Sequence, residues 1–277
     1  MSHEAQISRN NPTAFLFVVD QSGSMSDRMS IGKSKAEFVS DALNRTLMNL
    51  IGRCTKSEGV RDYFEVGVIG YGGQGVDNGF SGSLGSRVLN PVSAIEQNPT
   101  RVEDRKKKMD DGAGGIVETS VKFPVWFEPR ADGGTPMRSA LAKAAEEIAA
   151  WCDAHPESYP PTILHVTDGE SGDGDPEEIA ANLGQLSTND GPVVVMNIHV
   201  SALGADTIKF PGSESGLPDN YAKMLFRMSS SLPPHLAAFA KEKGYNVTSE
   251  SRGYMFNAEA GEIVDFFDIG TRASQLR

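Results

Sequence analysis

One uninterrupted apolar run, Ala-Phe-Leu-Phe-Val-Val at residues 14–19, most constrains the fold of this chain. A short strand that is apolar on both faces is typical of the interior of a parallel sheet covered by helices. The next residues, Asp-Gln-Ser-Gly-Ser at 20–24, are small, polar and turn-forming, so we expect the chain to leave the sheet there. Ligand sites of open α/β sheets lie beyond the carboxyl ends of the strands, and this loop is therefore the first candidate for a site.

Patterns typical of strands and of helices alternate from residue 14 to about residue 269. We predict further strands at 65–71, 162–167, 193–200 and 253–257. Apolar stripes at helical spacing predict helices at 39–51, 137–151, 220–229, 234–243 and 262–268. Because such alternation builds right-handed crossovers, we predict a single α/β domain over residues 1–277. Its doubly wound, mostly parallel central sheet carries helices on both faces.

A long segment at about residues 72–116 interrupts this alternation, since it is rich in Gly and Ser and carries only short apolar pieces. We predict a Gly-rich insertion on the face that carries the site, with a hairpin as one form it could take. The glycines at 72–75 are not followed by Lys-Ser or Lys-Thr, so we expect flexibility there and no phosphate-binding loop. Residues 117–127 alternate in character and predict an antiparallel strand near a sheet edge.

The composition excludes several classes of partner. The formal net charge is −11, with 39% hydrophobic and 23% charged residues, which argues against a nucleic-acid-binding surface. The basic run at 105–108 is followed one residue later by two acidic residues, Asp110 and Asp111, and is typical of a solvated face. No signal peptide and no apolar run of about 20 residues is visible, so we expect no membrane partner. Cys54 and Cys152 lack metal-type spacing and predict reduced thiols in a cytoplasmic protein.

The loop after the first predicted strand has the chemistry of a cation site. Asp20 brings one carboxylate, and Ser22 and Ser24 bring two hydroxyls, to the end of that strand. Hard oxygen ligands with little net charge suit Mg²⁺, which keeps several waters and binds through one or two carboxylates. The two serines could equally cap the helix that follows, and Thr135 could cap the helix that Pro136 opens, since serine and threonine are among the preferred cap residues. Capping and coordination are compatible, because a hydroxyl has two acceptor lone pairs.

Two later motifs give this loop a context. Asp-Gly-Gly-Thr-Pro occurs at 132–136, and Thr-Asp-Gly occurs at 167–169, directly after an apolar strand. With D-x-S-x-S at 20–24, and in this order, they resemble the von Willebrand factor A (vWA) family and its metal-ion-dependent adhesion site. The resemblance covers nearly the whole chain and implies a Rossmann-like vWA fold. It implies a metal site formed by five residues, which are Asp20, Ser22, Ser24, Thr135 and Asp168.

The resemblance also implies roles for these residues. Ser22, Ser24 and Thr135 would touch the metal, while Asp20 and Asp168 would act partly through water. Mg²⁺ is the expected ion, with Mn²⁺ or Ca²⁺ as alternatives, and an Asp or Glu of a protein partner would fill the open coordination position. Hydroxyl ligands leave the charge of the ion poorly neutralised, so an incoming carboxylate is strongly attracted.

The Gly-Gly-Thr-Pro loop resembles stand-alone bacterial members, such as the tellurite-resistance-associated proteins. Those members are linked with protein kinases, phosphatases or AAA+ proteins. The resemblance therefore implies a protein-binding adaptor in bacterial stress or defence signalling that is not an enzyme. No residue that touches the partner is predicted.

Other interpretations of these residues remain open. Residues 173–178, Asp-Gly-Asp-Pro-Glu-Glu, look like a calcium loop, but their spacing favours a helix start with Asp175 as cap. A metal-dependent hydrolase resembling a phosphatase would need a general base, and His165 and His199 lie inside predicted strands. A metal-independent structural subunit is the second alternative, and it would need no cation.

Overall fold

The structure, a computed structural model, describes residues 3–110, 116–201 and 206–272. The strands are β1 (Thr13–Gln21), β2 (Thr55–Lys56), β3 (Gly59–Val60), β4 (Phe64–Gly72), β5 (Gly75–Asn78), β6 (Leu89–Pro91), β7 (Arg101–Asp110), β8 (Ile116–Val125), β9 (Thr162–Thr167), β10 (Ser187–Thr188), β11 (Gly191–Pro192), β12 (Val194–Val200), β13 (Ile208–Lys209) and β14 (Tyr254–Ala258). The helices are α1 (Lys35–Cys54), α2 (Val92–Gln97), α3 (Met137–Ala154), α4 (Glu177–Leu183), α5 (Asn220–Arg227), α6 (Pro234–Glu242) and α7 (Ala260–Gly270). None of these helices is long and apolar enough to cross a membrane.

The central sheet contains eight of the described strands, in the order β13-β14-β12-β9-β1-β4-β5, with β6 also paired to β4. The inner pairs, β14–β12, β12–β9, β9–β1 and β1–β4, are all parallel. Antiparallel pairs occur at the two margins, where β13 pairs with β14 and where β5 and β6 pair with β4. The predicted α/β fold with a mostly parallel central sheet is confirmed.

Helices cover both faces of this sheet. The side chains of β1 are apolar on both faces, so each face must be shielded from water. Phe17 and its alternate neighbours pack into one core cluster with residues of α1, α6 and α7. Leu16 and its alternate neighbours pack into a second cluster with residues of α3, α4 and α5. Cys54 belongs to the first cluster and Cys152 to the second, both as buried free thiols. Because its apolar side chains are buried on both faces, β1 is an interior strand of the sheet, between β9 and β4.

The register of β1 determines which loops are neighbours. Val19 lies opposite Gly70 of β4 on one side and opposite Val166 of β9 on the other. Asp20 and Thr167 are therefore adjacent in the sheet, one residue further along their strands. Because the two strands are parallel, the loops that follow them leave the same edge of the sheet side by side.

The segment predicted as an insertion at about 72–116 contains more regular structure than expected. It includes β5, β6, α2 and β7, while residues 111–115 lie outside the described residues. Val92 and Ile95 of α2 are buried in the same core cluster as α1. Sparse apolar residues are enough to anchor this segment, because the antiparallel strands β5 and β6 extend the β4 side of the sheet.

The strand predicted at 117–127 runs antiparallel, as expected, but as part of a separate hairpin. β8 pairs with β7 from Arg101 opposite Val125 to Asp110 opposite Ile116. Among the described strands, neither of the two pairs with the central sheet. The hairpin instead rests against the outside of α1, where Arg105 stacks on Phe123 and forms an ion pair with Asp41. The alternating pattern revealed a half-buried strand but not its partner.

Candidate metal centre

The three predicted loops meet at the carboxyl end of the sheet and are joined through their backbones. Gly23 N donates to Gly133 O at 3.0 Å, which joins the loop after β1 to the loop before α3. Gly172 N donates to Thr135 O at 2.7 Å, which joins the loop after β9 to that same segment. The fold therefore brings together the segments that carry the five predicted metal-site residues.

Two glycines fix how closely the first two loops approach. Gly133 has a φ of +61°, and a Cβ built on it would lie 2.2 Å from the Cα of Gly73. Gly73 N also donates to Asp132 O at 2.8 Å. The expectation that the Gly-rich stretch at 72–75 is flexible is not met at Gly73, which makes a tight backbone contact beside the site. No side chain fits between two backbones at this distance, so glycine is required at Gly133.

Asp20 is buried at the end of β1, with 1% of its surface exposed. Its Oδ1 accepts from Ser22 N at 2.8 Å, and its Oδ2 accepts from the Thr167 hydroxyl at 3.0 Å. Burial raises the pKa of Asp20 to about 6, and the nearby charge of Asp168 adds to the rise, while the bonds from Ser22 and Thr167 oppose it. A cation beside this carboxylate would favour the ionised form, because opposite charge lowers a carboxyl pKa.

The two predicted serines are neighbours and point their hydroxyls at each other. Ser22 Oγ lies 3.2 Å from Ser24 Oγ, and Ser24 Oγ donates to Asp168 Oδ1 at 2.7 Å. Neither hydroxyl caps a helix, since Ser34 caps α1 in a box with Glu37. The capping interpretation of the two serines is therefore wrong. Adjacent ligands of an octahedral Mg²⁺ lie about 2.9 Å apart at normal Mg–O distances, so this pair of oxygens fits such an ion.

Asp168 is held from two sides and its side chain has no exposed surface. Ser24 bonds one carboxylate oxygen, and Lys35 Nζ donates to the other, Oδ2, at 2.9 Å. Lys35 is the residue of this site that the sequence interpretation missed. Its one signal is its place at the first position of α1, where a cation opposes the helix dipole.

Thr135 is partly buried in the loop before α3, and its backbone makes the contacts that position it. Its carbonyl accepts from Met137 N at 2.8 Å and from Gly172 N. Within the described residues, its hydroxyl forms no hydrogen bond with the two serines or the two aspartates, and it does not cap α3. The structure thus places Thr135 in the loop beside the other four residues and leaves its hydroxyl uncommitted to them.

The acidic segment at 173–178 caps helices. Asp173 accepts from the backbone N–H groups of Arg138 and Ser139, both at 2.9 Å, and so caps α3 from another loop. Asp175 Oδ1 accepts from Glu177 N at 2.9 Å at the start of α4. The capping interpretation is confirmed, with Pro176 rather than Asp175 as the boundary residue of α4. Both carboxylates satisfy backbone donors that a helix start leaves unpaired.

His165 lies in a buried chain of hydrogen bonds that crosses the sheet. Asn197 Nδ2 donates to Ser229 Oγ at 2.9 Å, so its Oδ1 is the acceptor that faces His165 Nδ1 at 2.8 Å. The proton of the neutral ring is therefore on Nδ1, and Nε2 accepts from the Tyr71 hydroxyl at 2.7 Å. Burial lowers the pKa of His165 to about 4. Both ring nitrogens are already used within the core.

His199 stands nearer the candidate centre but is also engaged. Its Nδ1 accepts from Asn257 N at 3.2 Å, and its ring stacks on Phe256. Burial lowers the pKa of His199. In the described part of the chain, no histidine forms a hydrogen bond with Ser22 or Ser24, so the paired nucleophile and base of a serine hydrolase are not assembled there.

The donor set of this centre is poor in charge. In residues 3–110, 116–201 and 206–272, no three side chains of His, Cys, Asp or Glu lie close enough together to bind one metal ion between them. The candidate centre offers the two carboxylates of Asp20 and Asp168 together with hydroxyl groups. Such a set suits a hard, partly hydrated cation more than a softer metal that prefers nitrogen or sulfur ligands.

No family model matches the chain, and no curated protein matches it. Solved structures do match. The pilus adhesin SpaC from Lactobacillus rhamnosus GG is 13% identical at a TM-score of 0.50, over 93% of this chain and 30% of that one. The present chain thus spans about a third of the length of that adhesin. At this identity the likeness shows the fold alone.

Two further matches are more distant in shape. Manganese-loaded TRAP protein of Plasmodium vivax is 13% identical at a TM-score of 0.38, over 93% of this chain and 72% of that one. The PilB minor pilin of Streptococcus sanguinis is 12% identical at a TM-score of 0.45, over 96% of this chain and 60% of that one. The function of the chain must therefore be argued from its own residues.

Proposed function

We propose that this chain is a Mg²⁺-dependent protein-binding adaptor with a metal-ion-dependent adhesion site of the vWA type. Ser22, Ser24 and Thr135 would supply hydroxyl ligands, and Asp20 and Asp168 would act partly through water. Mn²⁺ and Ca²⁺ are alternative ions. The proposal extends to a bacterial protein of the cytoplasm that acts in stress or defence signalling.

The observation that carries the proposal is the orientation of the Ser24 hydroxyl. Its proton is donated to Asp168 Oδ1 at 2.7 Å, so its lone pairs face away from that carboxylate. The Ser22 hydroxyl lies 3.2 Å away. Each oxygen of Asp20 and Asp168 already accepts one hydrogen bond, which holds both carboxylates in place. This is the arrangement expected where carboxylates orient hydroxyls and water around a cation.

The partner is proposed to supply an Asp or Glu side chain. When bound, the ion would supply positive charge and an open coordination position. Within a Debye length of about 8 Å that local charge outweighs the distant net charge of the protein. A cavity of about 370 Å³ beside the loop after β9 gives room for neighbouring residues of the partner and is lined in part by Glu170, Tyr221 and Met224. A kinase, a phosphatase or an AAA+ protein is the proposed class of partner.

Isothermal titration of Mg²⁺ into the protein tests the proposal, with Ser24→Ala as the variant and Ser26→Ala as the matched control. The two serines share one loop, but the Ser26 hydroxyl donates to Gly23 O and points to no carboxylate. We expect one Mg²⁺ per wild-type chain and the same in Ser26→Ala. In Ser24→Ala we expect binding to be weakened by about 1–3 kcal/mol, which is roughly fivefold to a hundredfold. Equal affinities in all three proteins would contradict the proposal.

The rival functions give different results. A hydrolase would turn over generic phosphoesters in the presence of Mg²⁺, whereas we expect no turnover. A structural subunit would bind its partner equally well in EDTA and in Mg²⁺. The adaptor we propose would lose its partner in EDTA and regain it when Mg²⁺ is restored.

A further inference from the structure

A buried lysine stands inside the candidate metal centre. The side chain of Lys35 is 7% exposed, and its Nζ lies 2.9 Å from Asp168 Oδ2 and 3.3 Å from Asp27 Oδ2. Its backbone N donates to Asp27 O at 3.0 Å, which fixes the start of α1 against the loop after β1. A lysine head group placed this deep points to a task that depends on its charge, because long charged side chains usually reach solvent.

The charge balance at the centre depends on this residue. The ionised carboxylates of Asp20 and Asp168 contribute two negative charges, and both groups are buried. Asp27 is 60% exposed at its side chain, so water screens its carboxylate. A divalent cation would leave the centre neutral if Lys35 were absent. With the Lys35 ammonium present, the loaded centre keeps one net positive charge.

We propose that Lys35 is the residue that sets the specificity of this centre for an anionic group of the partner. It repels the cation and occupies Asp168 Oδ2, so it weakens metal binding. The positive charge that it leaves at the loaded centre strengthens binding of a carboxylate. This inference rests on the proposed function and assigns the selection of the partner to a residue outside the D-x-S-x-S, Gly-Gly-Thr and Thr-Asp-Gly motifs.

A purely structural lysine would behave differently. Removing a structural ion pair lowers stability and either leaves metal and carboxylate affinity alone or weakens both, because the orientation of Asp168 is lost. A residue that sets the charge of the centre moves the two affinities in opposite directions when it is neutralised. The sign of the two changes therefore separates the roles, whatever happens to the melting temperature.

The experiment measures Mg²⁺ affinity by isothermal titration, in sodium chloride and in sodium acetate at equal ionic strength. If Mg²⁺ in the centre strengthens the binding of acetate, then bound acetate must strengthen the binding of Mg²⁺ by the same factor, because linkage is reciprocal. The variants are Lys35→Met, Lys35→Gln and Lys35→Arg. Lys33→Met is the control. Lys33 lies two positions before Lys35, is half-exposed, and forms its ion pair with Asp41.

We expect Lys35→Met and Lys35→Gln to bind Mg²⁺ in chloride roughly tenfold more tightly than the wild type and to lose most of the tightening in acetate. Lys35→Arg and Lys33→Met should behave like the wild type. Unchanged or weaker Mg²⁺ binding in both neutral variants would overturn the role of Lys35 while leaving the metal site standing. Absence of Mg²⁺ binding by the wild type would overturn the proposed function and this inference with it. A melting curve of each variant confirms that it is folded.

Discussion

Ser24 illustrates how single residues give this edge of the sheet its chemistry. Its hydroxyl lies 3.2 Å from one neutral oxygen, that of Ser22, and donates to one carboxylate, that of Asp168. The resemblance carried by the D-x-S-x-S, Gly-Gly-Thr and Thr-Asp-Gly motifs implied that Ser22, Ser24 and Asp168 share one site. The place of Lys35 in this site could not be predicted from the sequence. This lysine stands fifteen positions after Asp20, and only the path of the loop after β1 brings its ammonium to Asp168.

The hydroxyl of Thr135 provides a sharp test of metal ligation, since it is not a helix cap. Thr135→Val keeps the shape of the side chain and removes the oxygen. We expect Mg²⁺ affinity to fall by on the order of 1–3 kcal/mol with little change in the free energy of unfolding without metal. Thr135→Ser restores the oxygen and should restore the affinity. Equal Mg²⁺ affinity of Thr135→Val and the wild type would remove Thr135 from the ligand set.

The contact between Gly133 and Gly73 makes a second prediction for single residues. Gly133→Ala places a Cβ 2.2 Å from Gly73 Cα at a φ of +61°, so the two loops must separate. We expect a loss of stability on the order of 1–3 kcal/mol and a loss of Mg²⁺ binding. Gly134→Ala is the matched control, because a Cβ there meets nothing within 4 Å. Urea unfolding and Mg²⁺ titration of both variants check this, and similar behaviour of the two would contradict it.

At the scale of elements, the strands and helices that were predicted most accurately from the sequence are those whose buried residues give a clear pattern of apolar positions. The strand predicted at 162–167 is β9 with the same bounds, and α3 begins at Met137, directly after Pro136. The pairing of β7 with β8 could not be predicted, because a half-buried alternating strand is compatible with several partners. The cap of α3 was predicted wrongly, since Asp173 and not Thr135 supplies it, from a loop distant in sequence.

The buried hydrogen bonds that link Tyr71 of β4, His165 of β9 and Asn197 of β12 predict an acid-sensitive contribution to stability. The pKa of His165 is lowered to about 4 from 6.5 in free histidine, so the unfolded state binds more protons between these pH values. Its contribution is therefore intact above pH 6.5 and is lost as pH falls to 4, by up to about 3 kcal/mol. Asp20 acts with the opposite sign between pH 4 and 6, because its pKa is raised.

A comparison with His165→Gln isolates the histidine from the other titrating groups. Glutamine can still accept from Tyr71 and donate to Asn197, but it does not titrate. We expect the wild type to lose more stability than the variant between pH 6.5 and 4, measured by urea unfolding at each pH without metal. Parallel pH profiles of the two proteins would show that protonation of His165 does not affect folding.

At the scale of the whole molecule, the central sheet brings three distant segments of the chain to one edge. The parallel strands β1 and β9 lie side by side, and the backbone bonds from Gly23 and Gly172 close the third loop onto them. A protein with a net charge of −11 can still attract an acidic partner there, provided that a cation dominates the local field. The rest of the proposed function therefore depends on the claim that this site binds a metal ion.

The most direct test of that claim is a crystal structure grown with Mn²⁺ and measured at the manganese absorption edge. We predict one strong anomalous peak at the carboxyl end of β1, within bonding distance of the hydroxyl oxygens of Ser22, Ser24 and Thr135. Crystals of Ser24→Ala grown in the same way should show a weaker peak or none. A wild-type crystal with Mn²⁺ at other surface positions and no peak among these three hydroxyls would contradict the account.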